Sequence, residues 1–83
     1  MARYAVYVLS CGDGSYYTGF TTDVDRRVTE HRDGNGAKYT RGRGPFELVH
    51  VERFSTRSAA LKREAEIKSM TRPEKEVLVD DRV

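Results

Sequence analysis

Arg3–Thr21 reads RYAVYVLSCGDGSYYTGFT and contains the strongest structural signals of the chain. Its two halves are rich in tyrosine, valine and threonine, the residue types that favour β-strands. Between them lies Gly12-Asp13-Gly14, and an Asp-Gly pair is a strong turn signal. We therefore predict a β-hairpin whose strands cover Arg3–Ser10 and Ser15–Thr21.

The length of the hairpin loop decides where two of its tyrosines point. Side chains alternate between the two faces of a strand. With a three-residue loop, Cys11 pairs with Ser15, and Tyr7 and Tyr17 become diagonal neighbours on one face. A two-residue loop puts them on opposite faces. The spacing alone leaves two interpretations open, a functional pair of phenols or two ordinary strand residues in a chain with five tyrosines.

The rest of the chain alternates helix and strand signals. After the hairpin we predict a helix over about Val24–Asp33, which Thr22 or Asp23 caps and Gly34 ends. A glycine-rich basic loop over Gly34–Pro45 and a strand over Phe46–Phe54 follow. The last two predicted elements are a helix over Arg57–Met70, which Ser55 or Thr56 caps, and a short helix from near Pro73 to near Val79. The order ββαβαα predicts an α+β domain with helices packed on a small, mainly antiparallel sheet. We expect one domain over residues 1–83.

Composition narrows the class of protein. No apolar run approaches the roughly 20 residues of a membrane helix. The N-terminus lacks the pattern of a signal peptide, and the single cysteine, Cys11, cannot form an internal disulfide. These features favour the cytoplasm. The net charge is only +2, but residues 26–43 hold six of the Lys and Arg residues against two acidic ones. This local excess of positive charge is typical of an anion site.

Arg27 and His31 lie four positions apart, so they share one face of the first predicted helix. The planar guanidinium of arginine suits phosphate, and histidine exchanges protons near neutral pH. Asp23, one turn earlier, is a candidate to orient Arg27. The alternative is an ordinary solvated helix face.

The basic loop carries four candidate nucleic-acid-binding residues: Lys38, Tyr39, Arg41 and Arg43. Its glycines allow the backbone to approach a phosphate, and Tyr39 is suited to stacking on a base. The alternative is a flexible loop that its charges keep soluble.

Glu64, on the second long helix, is unusual because most of its neighbours on the helix surface are apolar. Its neighbours three and four positions away are Ala60, Leu61, Ile67 and Lys68. A carboxylate beside an apolar stripe is unfavourable unless it is paired or binds a metal. Glu64 is thus a candidate Mg²⁺ ligand, with a simple Glu64–Lys68 helix pair as the alternative.

These pieces occur in the order found in a known family. Ala5-Val6-Tyr7 and Tyr17-Thr18-Gly19 resemble the two motifs that name the GIY-YIG nucleases, and Arg27 follows Tyr17 at the spacing of the family's arginine. Three further runs are similar to its small standalone (YhbQ-like) branch: Tyr17–Arg27 with Glu30-His31, Ala37–Gly42 and Ala60–Glu64.

The resemblance implies a three-stranded antiparallel sheet flanked by helices and hydrolysis of DNA with one divalent metal, Mg²⁺ or Mn²⁺. The roles it implies are Tyr7 as general base, Tyr17 as the residue that orients water or the scissile phosphate, Arg27 as stabiliser of the transition-state charge, His31 as an aid to the base or phosphate, and Glu64 as metal ligand. A phenol, with a reference pKa of about 10, is a poor base and needs a nearby cation.

The chain also departs from the family. Ala5 and Val6 replace the usual Gly and Ile, Thr18 replaces Ile, and Arg32 stands where Asn often follows the histidine. Larger members carry a C-terminal asparagine near the site and a separate DNA-binding domain, both missing here. We expect an endonuclease for branched, nicked or single-stranded DNA in repair or recombination, with targeting by a partner protein. The alternatives are a non-catalytic nucleic-acid-binding module and a structural or dimerising domain.

Overall fold

The computed structural model describes residues 2–80, so the ends of the predicted domain, Met1 and residues 81–83, lie outside the described residues. The elements are β1 (Tyr4–Cys11), β2 (Tyr16–Thr21), α1 (Val24–Arg32), a short 3₁₀ helix (Lys38–Thr40), β3 (Phe46–Phe54), α2 (Arg57–Lys68) and α3 (Arg72–Asp80). The predicted order ββαβαα is confirmed. The sequence did not indicate the 3₁₀ helix inside the basic loop.

The hairpin has the three-residue loop that brings the tyrosines together. The Cys11 N–H donates to the Ser15 carbonyl at 2.8 Å. Tyr7 then lies opposite Gly19, and Leu9 lies opposite Tyr17. Tyr7 and Tyr17 therefore share a face, as the odd loop requires.

The three strands form an antiparallel sheet in the order β2-β1-β3. Because β1 is central, its residues from Val6 to Leu9 are 0% exposed. The pairing of β1 with β3 shifts register between Val8 and Leu9, which leaves Val49 as an extra residue. This bulge puts Leu48 and Val51 on one face and Val49 on the other, and so accounts for the irregular apolar spacing of β3.

Helices cover both faces of the sheet. On one face Tyr7 and Leu9 pack with Val24 and Val28 of α1. On the other face Val6 and Val8 pack with buried residues of the two later helices: Ala60, Ile67 and Val79. The small core is thus divided in two, and the Tyr7 side chain lies in the layer between β1 and α1.

Side chains fix where the helices begin. The Asp23 carboxylate accepts the Arg26 N–H at the start of α1, and the Thr56 hydroxyl accepts the Ala59 N–H at the start of α2. Gly34, with φ +82°, follows α1 as predicted.

Within residues 2–80 no helix has the length and apolar character needed to span a bilayer.

Candidate active site

Tyr7 and His31 form the centre of the candidate site. The Tyr7 hydroxyl lies 2.8 Å from His31 Nε2, and both side chains are buried. β1 positions Tyr7 and the last turn of α1 positions His31. Gly19 on β2 makes room for the phenol, because a Cβ there would overlap the Tyr7 hydroxyl. The glycine of the second motif is therefore a steric requirement of the first motif's tyrosine.

The other nitrogen of His31 is held by the basic loop. His31 Nδ1 lies 2.8 Å from the Thr40 hydroxyl, and that hydroxyl donates its proton to the Ala37 carbonyl at 2.9 Å. The Thr40 oxygen must then accept a proton from Nδ1. A neutral imidazole carries one N–H, so Nε2 is the acceptor and Tyr7 is the donor. The loop packs closely here, since a Cβ on Gly36 would overlap the His31 ring.

Aromatic rings extend the site outward from this pair. The Tyr17 ring centroid lies 6.3 Å from that of Tyr7 and 5.1 Å from that of His31. Tyr39 stacks on Tyr17 with centroids 5.8 Å apart. The two hairpin tyrosines, the histidine and the loop tyrosine thus form one continuous cluster that runs from the core to the surface.

Arg27 lies beside Tyr7, but its ion-pair partner differs from the expected one. Its guanidinium pairs with Glu30 at 2.9 Å. The expectation that Asp23 orients Arg27 is wrong, because Asp23 caps the helix by accepting the Arg26 N–H. The positive charge of Arg27 lowers the pKa of Tyr7. Arg27 is therefore close enough to favour the phenolate.

The environment nevertheless keeps the proton on Tyr7. Burial, with a smaller contribution from Tyr17, raises the pKa of Tyr7 to about 12, and the opposing effect of Arg27 is weaker. Burial and Arg27 lower the pKa of His31 below its usual value. The described site therefore pairs a neutral phenol with a neutral imidazole. Tyr7 can act as a base only when additional positive charge stabilises its anion.

Glu64 belongs to α2, which packs on the opposite face of the sheet, yet its charge contributes to the raised pKa of Tyr7. The Glu64 side chain is 17% exposed and pairs with Lys68 at 3.3 Å. The helix pair considered as the alternative is thus present, and the carboxylate is also within electrostatic reach of the phenol.

The His, Cys, Asp and Glu side chains of the described residues suit a metal site with few protein ligands. Among residues 2–80, no cluster of three or more His, Cys, Asp or Glu side chains could hold an ion. Mg²⁺ is often held by one or two carboxylates together with water and substrate phosphates. Glu64 fits that arrangement, in which the substrate completes the coordination.

The structure separates the four loop residues into two groups. Lys38 and Arg41 are exposed and form no ion pair with a residue in the range 2–80, so their charges are available. Arg43 is tied to Asp13 of the hairpin loop and lies 4.3 Å above the Tyr39 ring. Tyr39 therefore already packs against Arg43 and Tyr17.

The structure brings five predicted residues into one cluster: Tyr7, Tyr17, Arg27, His31 and Tyr39. Glu64 lies within electrostatic reach of the Tyr7 phenol. Lys38 and Arg41 are close to Tyr39 in the chain. Arg43 connects the Tyr39 ring to Asp13 of the hairpin loop. The sequence patterns did not indicate Thr40 as the partner of His31 or Asp13 as the partner of Arg43. Thr40 lies in the Ala37–Gly42 run that resembled the family, and that run was the only signal for it.

Comparison with known proteins identifies the family. Residues 3–77 match the GIY-YIG catalytic domain. A UPF0213 protein of Natronomonas pharaonis is 64% identical over 80 residues, covering 96% of this chain and 94% of that protein. A UPF0213 protein of Staphylococcus epidermidis is 49% identical over 81 residues, covering 98% of this chain and 99% of that protein.

A solved structure agrees with this assignment. The solution NMR structure of a UPF0213 protein from Bacillus halodurans matches with a TM-score of 0.63 at 53% identity, covering 95% of this chain and 84% of that chain. The fold is that of a domain from a superfamily of nucleases, and this chain belongs to the GIY-YIG family. Its similarity to the UPF0213 proteins confirms the predicted small standalone (YhbQ-like) branch.

Proposed function

We propose that this chain is a metal-dependent endonuclease that hydrolyses phosphodiester bonds of DNA. The observation that carries the proposal is the hydrogen bond from the Tyr7 hydroxyl to Nε2 of a neutral His31, with Arg27 beside it. This arrangement supplies a proton acceptor for the phenol and a cation for the phosphate, which are two requirements of phosphodiester hydrolysis by water.

The side chains have distinct roles in this proposal. Tyr7 passes its proton to His31 Nε2, and the Tyr7 oxygen then takes a proton from the attacking water. As the water oxygen bonds to phosphorus, the P–O bond to the leaving sugar oxygen breaks, and that oxygen takes a proton from solvent. Thr40 holds the His31 imidazole in the tautomer whose Nε2 can accept the phenolic proton. Tyr17 orients the water or the scissile phosphate. Arg27 stabilises the negative charge that develops on the phosphate oxygens.

Glu64 is the residue we propose as the ligand of Mg²⁺ or Mn²⁺. A divalent ion there supplies positive charge that favours both the phenolate and the developing phosphate charge. This charge is what a phenol with a pKa of about 12 lacks in the protein alone. Glu64 must release Lys68 to take this role, and Lys68 is the exposed partner of the pair, with its side chain 55% exposed.

DNA is the proposed substrate because two exposed cations are close in the chain to Tyr39, the outermost ring of the aromatic cluster. Lys38 and Arg41 are exposed and form no ion pair within residues 2–80, so both are free to contact phosphates. Branched, nicked and single-stranded forms, as met in repair or recombination, are the proposed targets, with a partner protein to direct the enzyme. We expect it to act in the cytoplasm, since its single cysteine cannot form an internal disulfide.

A non-catalytic nucleic-acid-binding module is the second candidate. Two observations favour it, namely the raised pKa of Tyr7 and the engagement of Glu64 by Lys68. Such a module binds DNA in a salt-dependent manner and cleaves nothing with any metal. The two candidates therefore differ in one measurable property, metal-dependent turnover.

The deciding experiment compares wild type, Glu64→Gln and Glu66→Gln on labelled duplex, flap and single-stranded DNA with Mg²⁺ or Mn²⁺. Glu66 is the matched control, since its side chain is more than half exposed on the same helix. We expect cleavage by wild type and Glu66→Gln and a loss of at least about 100-fold in Glu64→Gln. Cleavage that all three proteins share equally would mark a contaminant and refute the proposal.

A further inference from the structure

A second feature, a cleft of about 360 Å³, adjoins the candidate active site. Its walls come from β2, the 3₁₀ helix, α2 and α3, and the lining residues are Tyr16, Tyr17, Thr18, Tyr39, Lys68 and Lys75. Tyr17 and Tyr39 belong also to the aromatic cluster around His31. The cleft therefore begins where that cluster reaches the surface.

The charged groups of the cleft are mainly cationic. Lys75 is partly buried and forms no ion pair with any residue in the range 2–80. Lys68 has Glu64 as its partner but remains 55% exposed. The Arg72 guanidinium lies 5.0 Å above the Tyr16 ring at the same wall and pairs with Glu76 at 3.3 Å, so Lys75 is the cation of the cleft without an ion-pair partner in residues 2–80. An ammonium group binds phosphate as a point charge. The cleft thus has the character of an anion site next to a phosphodiester site.

Thr18 adds an independent observation. It replaces the isoleucine usual in the second motif, and it is 4% exposed. Its hydroxyl is also buried, and it has no hydrogen-bond partner within residues 2–80. A buried donor without an acceptor is unfavourable. An apolar side chain would avoid that cost, and Thr18 lines the cleft, so a ligand oxygen in the cleft is the partner that the hydroxyl lacks.

We propose that this cleft binds a phosphate of the DNA strand that is being cut, next to the scissile phosphate. Lys75 provides the main positive charge, and the Thr18 hydroxyl donates a hydrogen bond to a phosphate oxygen. Tyr39 lies between the two subsites, because it stacks on Tyr17 and also lines the cleft. The inference rests on the proposed function, since it assigns the cleft to the same substrate.

The test measures binding in metal-free buffer, where no cleavage occurs, by fluorescence anisotropy of a labelled single-stranded oligonucleotide over a range of salt. Lys75→Gln is compared with Lys62→Gln, which removes the same charge from an exposed position of α2 outside the cleft. Thr18→Val removes the hydroxyl without changing charge. Thermal unfolding shows whether each variant is folded.

We expect Lys75→Gln to weaken binding about tenfold and to reduce the slope of log affinity against log salt by about one, with a smaller effect from Lys62→Gln. Thr18→Val weakens binding without changing the slope, since it removes no charge. Wild-type cleavage combined with equal effects of Lys75→Gln and Lys62→Gln would overturn the cleft proposal alone. A wild-type protein that neither binds nor cleaves DNA would overturn the proposed function and the cleft together.

Discussion

The Tyr7 hydroxyl donates to Nε2 of His31 at 2.8 Å, and this bond joins the central strand of the sheet to the last turn of α1. The direction of the bond follows from a third residue, because the Thr40 hydroxyl donates a hydrogen bond to the Ala37 carbonyl and so accepts one from His31 Nδ1. The imidazole is thus held ready to receive the phenolic proton. The chemistry proposed for the site depends on that direction.

Thr40→Val tests the assigned tautomer. Valine keeps the shape of threonine but cannot accept the Nδ1 proton, so the preference for the Nδ1–H form is lost. We expect nitrogen NMR of wild-type His31 to show a protonated Nδ1 and a bare Nε2, and the variant to show a mixture. The cleavage rate should fall about 10- to 100-fold. A wild-type histidine protonated on Nε2 would contradict the assignment.

The pH dependence provides a second prediction. Burial and Arg27 hold the pKa of His31 below 6.5, its value in an unfolded chain. Protonated His31 cannot accept from Tyr7, so cleavage should decline on the acid side of pH 6.5. The unfolded state binds more protons there, so the free energy of unfolding also declines as pH drops below 6.5. NMR titration of the His31 ring checks this directly, and a midpoint above 6.5 would refute it.

Gly19→Ala tests how closely the two motifs pack. The added Cβ would overlap the Tyr7 hydroxyl. We expect a loss of about 1–3 kcal/mol in the free energy of unfolding, measured in urea, together with loss of cleavage. Gly44→Ala is the control, since its Cβ meets only the Phe46 ring, at 3.5 Å. Equal effects of the two substitutions would rule out the steric account.

Two basic residues of the loop should respond differently to alanine. Lys38 is exposed, so Lys38→Ala should leave the unfolding midpoint unchanged and reduce the salt slope of DNA binding by about one. Arg43 connects Asp13 to Tyr39, so Arg43→Ala should lower the unfolding midpoint. It should also lower the rate of cleavage more than the affinity for DNA, because Tyr39 loses its support. Identical behaviour of the two variants would show that the contacts of Arg43 with Asp13 and Tyr39 do not stabilise the loop.

Local rules were sufficient for the three strands, the three α-helices and the pairing of Tyr7 with Tyr17, but not for the 3₁₀ helix. Strand alternation and the length of one loop fix that geometry, and the structure has the three-residue loop. The ion pair of Arg27 was beyond these rules, because Asp23 was required as a helix cap and Glu30 was equally near along the helix.

The contact of His31 with Thr40 had no local signal. Thr40 reaches the imidazole through a glycine-containing loop that follows no repeating pattern, and its position depends on the fit of Gly36 against the His31 ring. The bulge of β3 is similar, since it arises from packing on both faces of the sheet. Such contacts become visible only when the elements are assembled.

The initial rate of DNA cleavage by Tyr7→Phe measures whether Tyr7 is the base. Tyr4→Phe is the matched control, because Tyr4 packs on the opposite face of the sheet, away from His31. With Mg²⁺ or Mn²⁺ present, we expect Tyr4→Phe to retain the wild-type rate and folded Tyr7→Phe to lose at least about 100-fold. Cleavage by folded Tyr7→Phe at the wild-type rate would contradict the assignment of Tyr7 as the base.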